Sequence, residues 1–325
     1  MLILLDCRPL LEEEFGERSH IIFSSVAFLA RERGVSWLFL VDLSGREDIL
    51  EIPPGARVIK QGVLPGKIGR RRWYSSTIPR LAKKHSADWV MLTGGIAAAA
   101  PGERYVGLQP PGQPEEAGKF ILISPWPSEA VRPLSTEERD AFKQKHVQGK
   151  EFFWADAETA GEDGVVQLLK AFSLFKKRQL SNLQLVLAGS PLRREGELKK
   201  LLDTYKYRQD LHWWGPAESP AGGREAAYAQ LFPFKKKTLG TPLLDAWKAE
   251  VPVVVGKETS LPELAGDGAL VADMSDPASM AGHLMVLYKD ERLRRNLIEK
   301  GSARLQDFDA RASADRLWAG LSESH

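Results

Sequence analysis

Short apolar runs alternate along the chain with amphipathic stretches of helical length, the pattern of parallel strands covered on both faces by helices. In the first half, Leu2–Leu5, Trp37–Val41, Arg57–Lys60, Trp89–Leu92 and Phe120–Ile123 predict strands, and Arg18–Arg33 and Trp73–His85 predict helices. Residues 94–118 are rich in Gly, Ala and Pro and read as one long loop. A second punctuated stretch, Pro125-Trp126-Pro127 to Pro133, leads into a charged segment, and strand character resumes at Phe152-Phe153-Trp154. A domain boundary is therefore expected near residue 148, giving domains 1–148 and 149–325.

The second half is more regular. Phe152–Ala155 predicts a strand, Val165–Lys177 carries Val165, Leu168, Leu169, Phe172 and Phe175 on one helical face, and Leu183–Ala188 predicts the next strand, a βαβ unit. Leu198–Tyr205 reads as a helix, Leu211–Trp214 as a short strand, Ala226–Phe232 as a helix and strand edge, Pro242–Ala249 as a helix and Val251–Val255 as a strand. Met280–Lys289, Glu291–Lys300 and Ala310–Leu321 close the chain as helices. The fold class is α/β, two Rossmann-like domains with a cleft between them, the last helix free to cross back to the first domain.

Composition narrows the function classes. At 325 residues the chain exceeds one ordinary core and suits two. With 45 Lys plus Arg against 43 Asp plus Glu, no overall charge favours nucleic acid, and no nucleic-acid partner is expected. The single cysteine, Cys7, excludes an internal disulfide, and the six histidines show no metal-ligand spacing, so no metal and no cofactor are expected. Without a basic lead-in or a long apolar run, a cytoplasmic location is expected. Arg70-Arg71-Arg72, followed by Trp73-Tyr74, is the strongest basic cluster. It admits peripheral contact with anionic lipid at the inner face of a membrane, a phosphate-bearing acceptor, RNA, or simply a charged helix start. Asp307-Phe308-Asp309, ahead of a terminal helix, reads as a cap rather than a metal motif.

Three blocks carry a family resemblance. Gly240-Thr241-Pro242-Leu243-Leu244-Asp245-Ala246-Trp247 is followed by Val251-Pro252-Val253-Val254 and by Ser260-Leu261-Pro262-Glu263-Leu264-Ala265-Gly266. Upstream, in order, come Leu168 to Phe172, Leu185-Val186-Leu187-Ala188-Gly189, and Trp214-Gly215. Together they resemble the retaining nucleotide-sugar glycosyltransferases with the two-Rossmann B fold, the group 1 glycosyl transferases.

That resemblance implies sugar transfer from a nucleotide-sugar donor to a glycan or glycoconjugate acceptor in polysaccharide assembly, by a metal-independent hexosyltransferase. The segment around Gly240 and Thr241 aligns with the donor block, in which one glutamate meets the transferred sugar and a second, on the following helix, meets the ribose. The first falls on Lys237 and the second on Asp245; Glu263 keeps the family residue. An Arg and a Lys that hold the diphosphate align with Glu162 and Asp163, and a glycine that follows the strand aligns with Ala157. Lys235–Lys237 could then face Glu162 and Asp163 as an internal ion-pair patch. Arg193 or Arg194 would have to supply the cation near the diphosphate.

At about 5 Å and an effective dielectric of about 20, one unit pair interacts by about 3 kcal/mol, so two reversals remove several kcal/mol of donor binding. The alternative is a non-catalytic pseudo-glycosyltransferase that binds a partner protein or a glycan. Plainer readings stand beside these: Asp163 as a helix N-cap, Lys235–Lys237 as a solvated loop, Asp245 as an exposed helix residue and Glu263 as a first-turn carboxylate.

Overall fold

The computed structural model describes residues 1–9, 17–42, 52–62, 66–93, 105–109, 120–122, 125–189, 196–215, 217–233 and 238–322. The chain divides into two compact units, Met1–Trp126 with Phe308–His325, and Pro127–Asp307.

In the first unit six parallel strands take the order β3-β2-β1-β4-β5-β6. They are β1 (Leu2–Asp6), β2 (Ser36–Asp42), β3 (Arg57–Gln61), β4 (Trp89–Leu92), β5 (Tyr105–Gln109) and β6 (Phe120–Leu122). The central strands are apolar at successive positions because helices cover both faces, as at Leu2-Ile3-Leu4-Leu5. Helix α1 (Glu17–Arg33) joins β1 to β2. Helix α2 (Gly66–Arg72), a single π turn (Trp73–Thr77) and α3 (Ile78–Lys84) lie between β3 and β4.

The helix expected over Trp73–His85 therefore begins earlier and changes register within itself. Ile78 N–H donates to Trp73 O across the π turn. Pro79, which has no N–H to continue the α ladder, stands directly after the slip. The loop expected over 94–118 also needs correction, since β5 lies inside it and pairs with both β4 and β6. The rest of that stretch is outside the described residues.

The second unit repeats the plan, with β12-β11-β10-β7-β8-β9 across its sheet. In chain order its elements begin with α4 (Thr136–His146), β7 (Phe152–Asp156), α5 (Ala157–Gln179), β8 (Gln184–Ala188), α6 (Gly196–Asp203) and β9 (Leu211–Trp214). Then come β10 (Ala229–Phe232), α7 (Thr241–Lys248), β11 (Val253–Gly256), α8 (Leu261–Ala265), β12 (Leu270–Ala272), α9 (Pro277–Lys289) and α10 (Glu291–Leu305). Residues 221–226 form turns, so only the strand part of the expected Ala226–Phe232 element is present. Both sheets have the strand order of a doubly wound Rossmann fold, in which the first and fourth strands of each unit lie side by side.

The division falls at Trp126–Pro127 rather than near 148 because α4 packs within the second unit. Its Phe142 ring lies 6.1 Å from Phe152 and 6.3 Å from Trp214. A capping box starts α4: Glu138 N–H donates to Ser135 Oγ at 3.2 Å and Ser135 N–H to Glu138 Oε2 at 2.8 Å.

The last helix, α11 (Ala310–Ser322), belongs to the first unit. Asp309 caps it, accepting from the amides of Arg311 and Ala312 at 3.2 and 3.3 Å. It lies on α1, where Arg33 pairs with Asp315 at 2.9 Å. A Cβ at Gly320 would stand 2.8 Å from Ile121 of β6, so the helix reaches the sheet at a glycine.

Candidate functional site

At the carboxyl edge of the second sheet, β7 and β10 are neighbours although α5, β8, α6 and β9 separate them in sequence, and ligands of such sheets bind at this switch point. Three segments meet there: the start of α5 after β7, the entry to α7 after β10, and α8 after β11.

The entry to α7 is built for close approach. Gly240 takes a left-handed conformation, φ 102°, and a Cβ there would collide with Leu264 of α8. Thr238 Oγ1 accepts the Gly240 amide at 3.2 Å, and Ser260 Oγ donates to Thr238 O at 3.0 Å, tying this entry to α8. No side chain caps α7, and the buried Thr241 Oγ1 has no hydrogen-bond partner. Pro242 has no N–H and the Leu243 and Leu244 amides donate to Gly240 O at 3.0 and 3.1 Å, so Thr241 is what this helix start offers to an anionic oxygen.

One turn on, Asp245 is half-buried. Its Oδ1 accepts the Ser128 amide at 2.7 Å, while Lys248 Nζ donates to Ser128 O at 2.7 Å, so α7 clasps the backbone of Ser128 near the start of the second unit. Burial raises the Asp245 pKa, against the Ser128 hydrogen bond and the positive charge of Arg224. One carboxylate oxygen is thus engaged by the chain itself.

The start of α5 is acidic. Gly161 breaks it, with φ 67° and ψ 174°. Asp156, at the end of β7, accepts the Thr159 amide at 3.1 Å and so caps the part of α5 before the break. Asp163 lies just after the break and is exposed; Glu162 is half-buried. Gly164 is buried, and a Cβ there would stand 3.2 Å from Pro233 O, which brings this acidic turn against the chain leaving β10. Ala157 is fully buried.

Glu263 is exposed on α8, where Arg304 bonds the carbonyls of Leu264 and Glu263 at 2.6 and 3.3 Å. Gly240, Thr241 and α8 are brought together, and Glu162 and Asp163 stand beside the strand that leads to them. Lys235, Lys236, Lys237, Arg193 and Arg194 lie outside the described residues, and so does the expected ion-pair patch.

Arg224 went unrecognised in the sequence. Its Nη2 approaches Asp156 Oδ2 at 3.4 Å, and its charge acts on Asp245. A local signal exists: Gly222-Gly223 precedes it, and a Cβ at Gly223 would stand 2.6 Å from Trp154, so the turn that presents Arg224 hugs the sheet. Among the described residues no group of three or more His, Cys, Asp or Glu is placed to hold a metal.

A family model described as glycosyl transferases group 1 matches residues 136–304, more than half of the chain. The chain belongs to the group 1 glycosyl transferases. An O-antigen chain mannosyltransferase B of Escherichia coli is 29% identical over 143 residues, 43% of this chain and 38% of that protein. Among solved structures, a glycosyltransferase of Rickettsia africae superposes with a TM-score of 0.75 at 10% identity, covering 99% of this chain and 98% of that one. Anabaena HepE in complex with UDP superposes with a TM-score of 0.73 at 14% identity, covering 99% of each chain. The structural likeness carries the fold: two Rossmann-like domains of the glycosyltransferase B type. Within this group 1 member, the matched region contains every element of the switch-point site. Among the described residues no helix is long and apolar enough to cross a membrane.

Proposed function

We propose that the chain transfers a sugar from a nucleotide-sugar donor to a glycan or glycoconjugate acceptor, with the donor diphosphate at the start of α7. The observation that carries this reading is the uncapped helix N-terminus with its unpartnered Thr241 hydroxyl. In the transfer, the bond from the anomeric carbon to the phosphate oxygen breaks, a bond to an acceptor hydroxyl oxygen forms, and the proton of that hydroxyl passes to the leaving diphosphate. The leaving diphosphate gains charge, which a helix N-terminus stabilises by about 0.3–2 kcal/mol. Arg224 adds a cation beside Asp156 and Asp245. Asp245 Oδ2 is the oxygen left for a ribose hydroxyl, Oδ1 being held by Ser128. Glu263 and Arg193 remain donor-side residues in this reading, with Lys237 in the place of the sugar-contacting glutamate. The family resemblance supports a retaining outcome and a polysaccharide-type product, in line with the E. coli relative's O-antigen chain.

One observation favours a second reading. The start of α5 presents Glu162 and Asp163, whose negative charge would oppose a diphosphate held beside them. This favours a pseudo-glycosyltransferase that binds a glycan or a partner protein without turnover.

Calorimetric titration with UDP-, GDP- and ADP-sugars, with and without divalent metal, separates the two. The transfer reading expects saturable binding that Thr241→Val weakens about five- to tenfold, the worth of one hydrogen bond, and that Asp245→Asn also weakens. Binding that stays absent up to millimolar donor sinks it in favour of the second.

A further inference from the structure

A polar cavity of about 400 Å3 opens in the first unit where β3 ends beside α2, the π turn and α3. Gln61, Arg72, Trp73, Ser76, Thr77 and Arg80 line it, and among the described residues no acidic one does. From Gly66 to Ala87 the sequence has seven Lys or Arg and no Asp or Glu, in a chain whose net charge is only +2. The basic excess is therefore concentrated on this cavity and its surroundings.

Neither Arg72 nor Arg80 is paired with a carboxylate among the described residues. Arg80 Nη2 donates to Gln61 Oε1 at 3.2 Å, which orients that guanidinium and leaves most of its five N–H groups available. Two guanidinium groups at one cavity repel each other, and an anion between them turns repulsion into attraction. Ser76 and Thr77 add hydroxyl donors.

The wall behind them is fixed. Trp73 is buried, its Nε1 donates to Asp6 Oδ1 at 3.0 Å, and the Arg8 guanidinium lies 5.7 Å from its ring centre. The π turn that places Trp73, Ser76 and Thr77 is a local irregularity of the kind that recurs at functional sites.

We propose that this cavity is a binding site for a phosphate-class oxyanion, held by Arg72 and Arg80 with the hydroxyls of Ser76 and Thr77. Two sources share that chemistry, a phosphorylated soluble acceptor and an anionic lipid headgroup. Only the word acceptor rests on the transfer reading, because the binding itself does not depend on turnover.

The test titrates the full chain with inorganic phosphate and pyrophosphate. In parallel, sedimentation is measured with phosphatidylglycerol–phosphatidylcholine vesicles and with pure phosphatidylcholine vesicles. The variants are Arg72→Gln with Arg80→Gln, Thr77→Val, and Lys83→Gln with Lys84→Gln as a charge-matched control outside the cavity. Thr241→Val reports any anion held at α7 instead, so failure of the donor site is distinguishable from failure here. The expected result is saturable binding weakened at least about tenfold by the double arginine variant, and severalfold by Thr77→Val, at unchanged melting temperature. The lysine control is expected to stay within about twofold.

Vesicle binding lost together with phosphate binding would assign the site to a lipid headgroup; phosphate binding without vesicle binding would assign it to a soluble phosphorylated ligand. Equal weakening by the arginine and lysine pairs would overturn the proposal, leaving only general electrostatics. So would absence of binding to phosphate, pyrophosphate and vesicles alike.

Discussion

Asp6 ends the central strand of the first sheet with its carboxyl fully buried. Burial pushes its pKa from 3.8 up to about 6, against the Trp73 and Arg8 hydrogen bonds that favour the ionised form. Because the folded value exceeds the unfolded one, the unfolded chain releases this proton first. Stability is then lost as pH rises from about 4 to about 6 and is constant above, to a total of about 3 kcal/mol. An Asp6→Asn variant should match the natural chain near pH 4 and gain on it up to pH 6, as read from denaturation midpoints across pH; a difference that is flat with pH would refute the shift. The site was legible at the residue scale only where chain-local motif and geometry coincide. Gly240 and Thr241 were marked by their block, and the left-handed turn shows why glycine stands there. Arg224 was hidden because its partner Asp156 is 68 positions away and meets it only through the folded sheet.

Helix α7 owes its position to a glycine on another element. Trp247 Nε1 donates to Gly268 O at 3.1 Å, and its ring lies over Gly301 of α10, where a Cβ would stand 2.6 Å from that same nitrogen. Alanine at 301 would gain about 1 kcal/mol of helix propensity and lose about 1–3 kcal/mol to overpacking, so Gly301→Ala should be destabilising on balance. Since Asp245 and Thr241 ride on the same helix, donor binding should weaken alongside the melting temperature, and calorimetry on the folded variant reads both. At this scale the sequence was clearest where packing is two-sided. Strands such as β1 and β7 are apolar at successive positions because both their faces are covered. Helix α4 was not read because it has no wide apolar stripe; Phe142 and a capping box do much of the work. Strand β5 was masked by its glycine- and proline-rich surroundings.

The chain leaves the first unit at Trp126 and returns to it at Phe308. Leu317 and Leu321 of α11 are buried there, with Trp318 5.9 Å from the Arg33 guanidinium. Leu317→Ala should cost the first unit about 2–5 kcal/mol as a large-to-small core change. Hydrogen exchange should then quicken in β1 to β6 and α1 while β7 to β12 keep their protection; equal loosening of both units would contradict the division. The same return sets an order of events during synthesis. Domains generally fold as they emerge, amino-terminal first. Here the opening sheet is left without the helix that seals α1 and β6 until residues 308–322 have been made, after the whole second unit. The unit translated first is thus the last to be completed, and in the interval its uncovered apolar face is the surface a nascent-chain chaperone would have to shield.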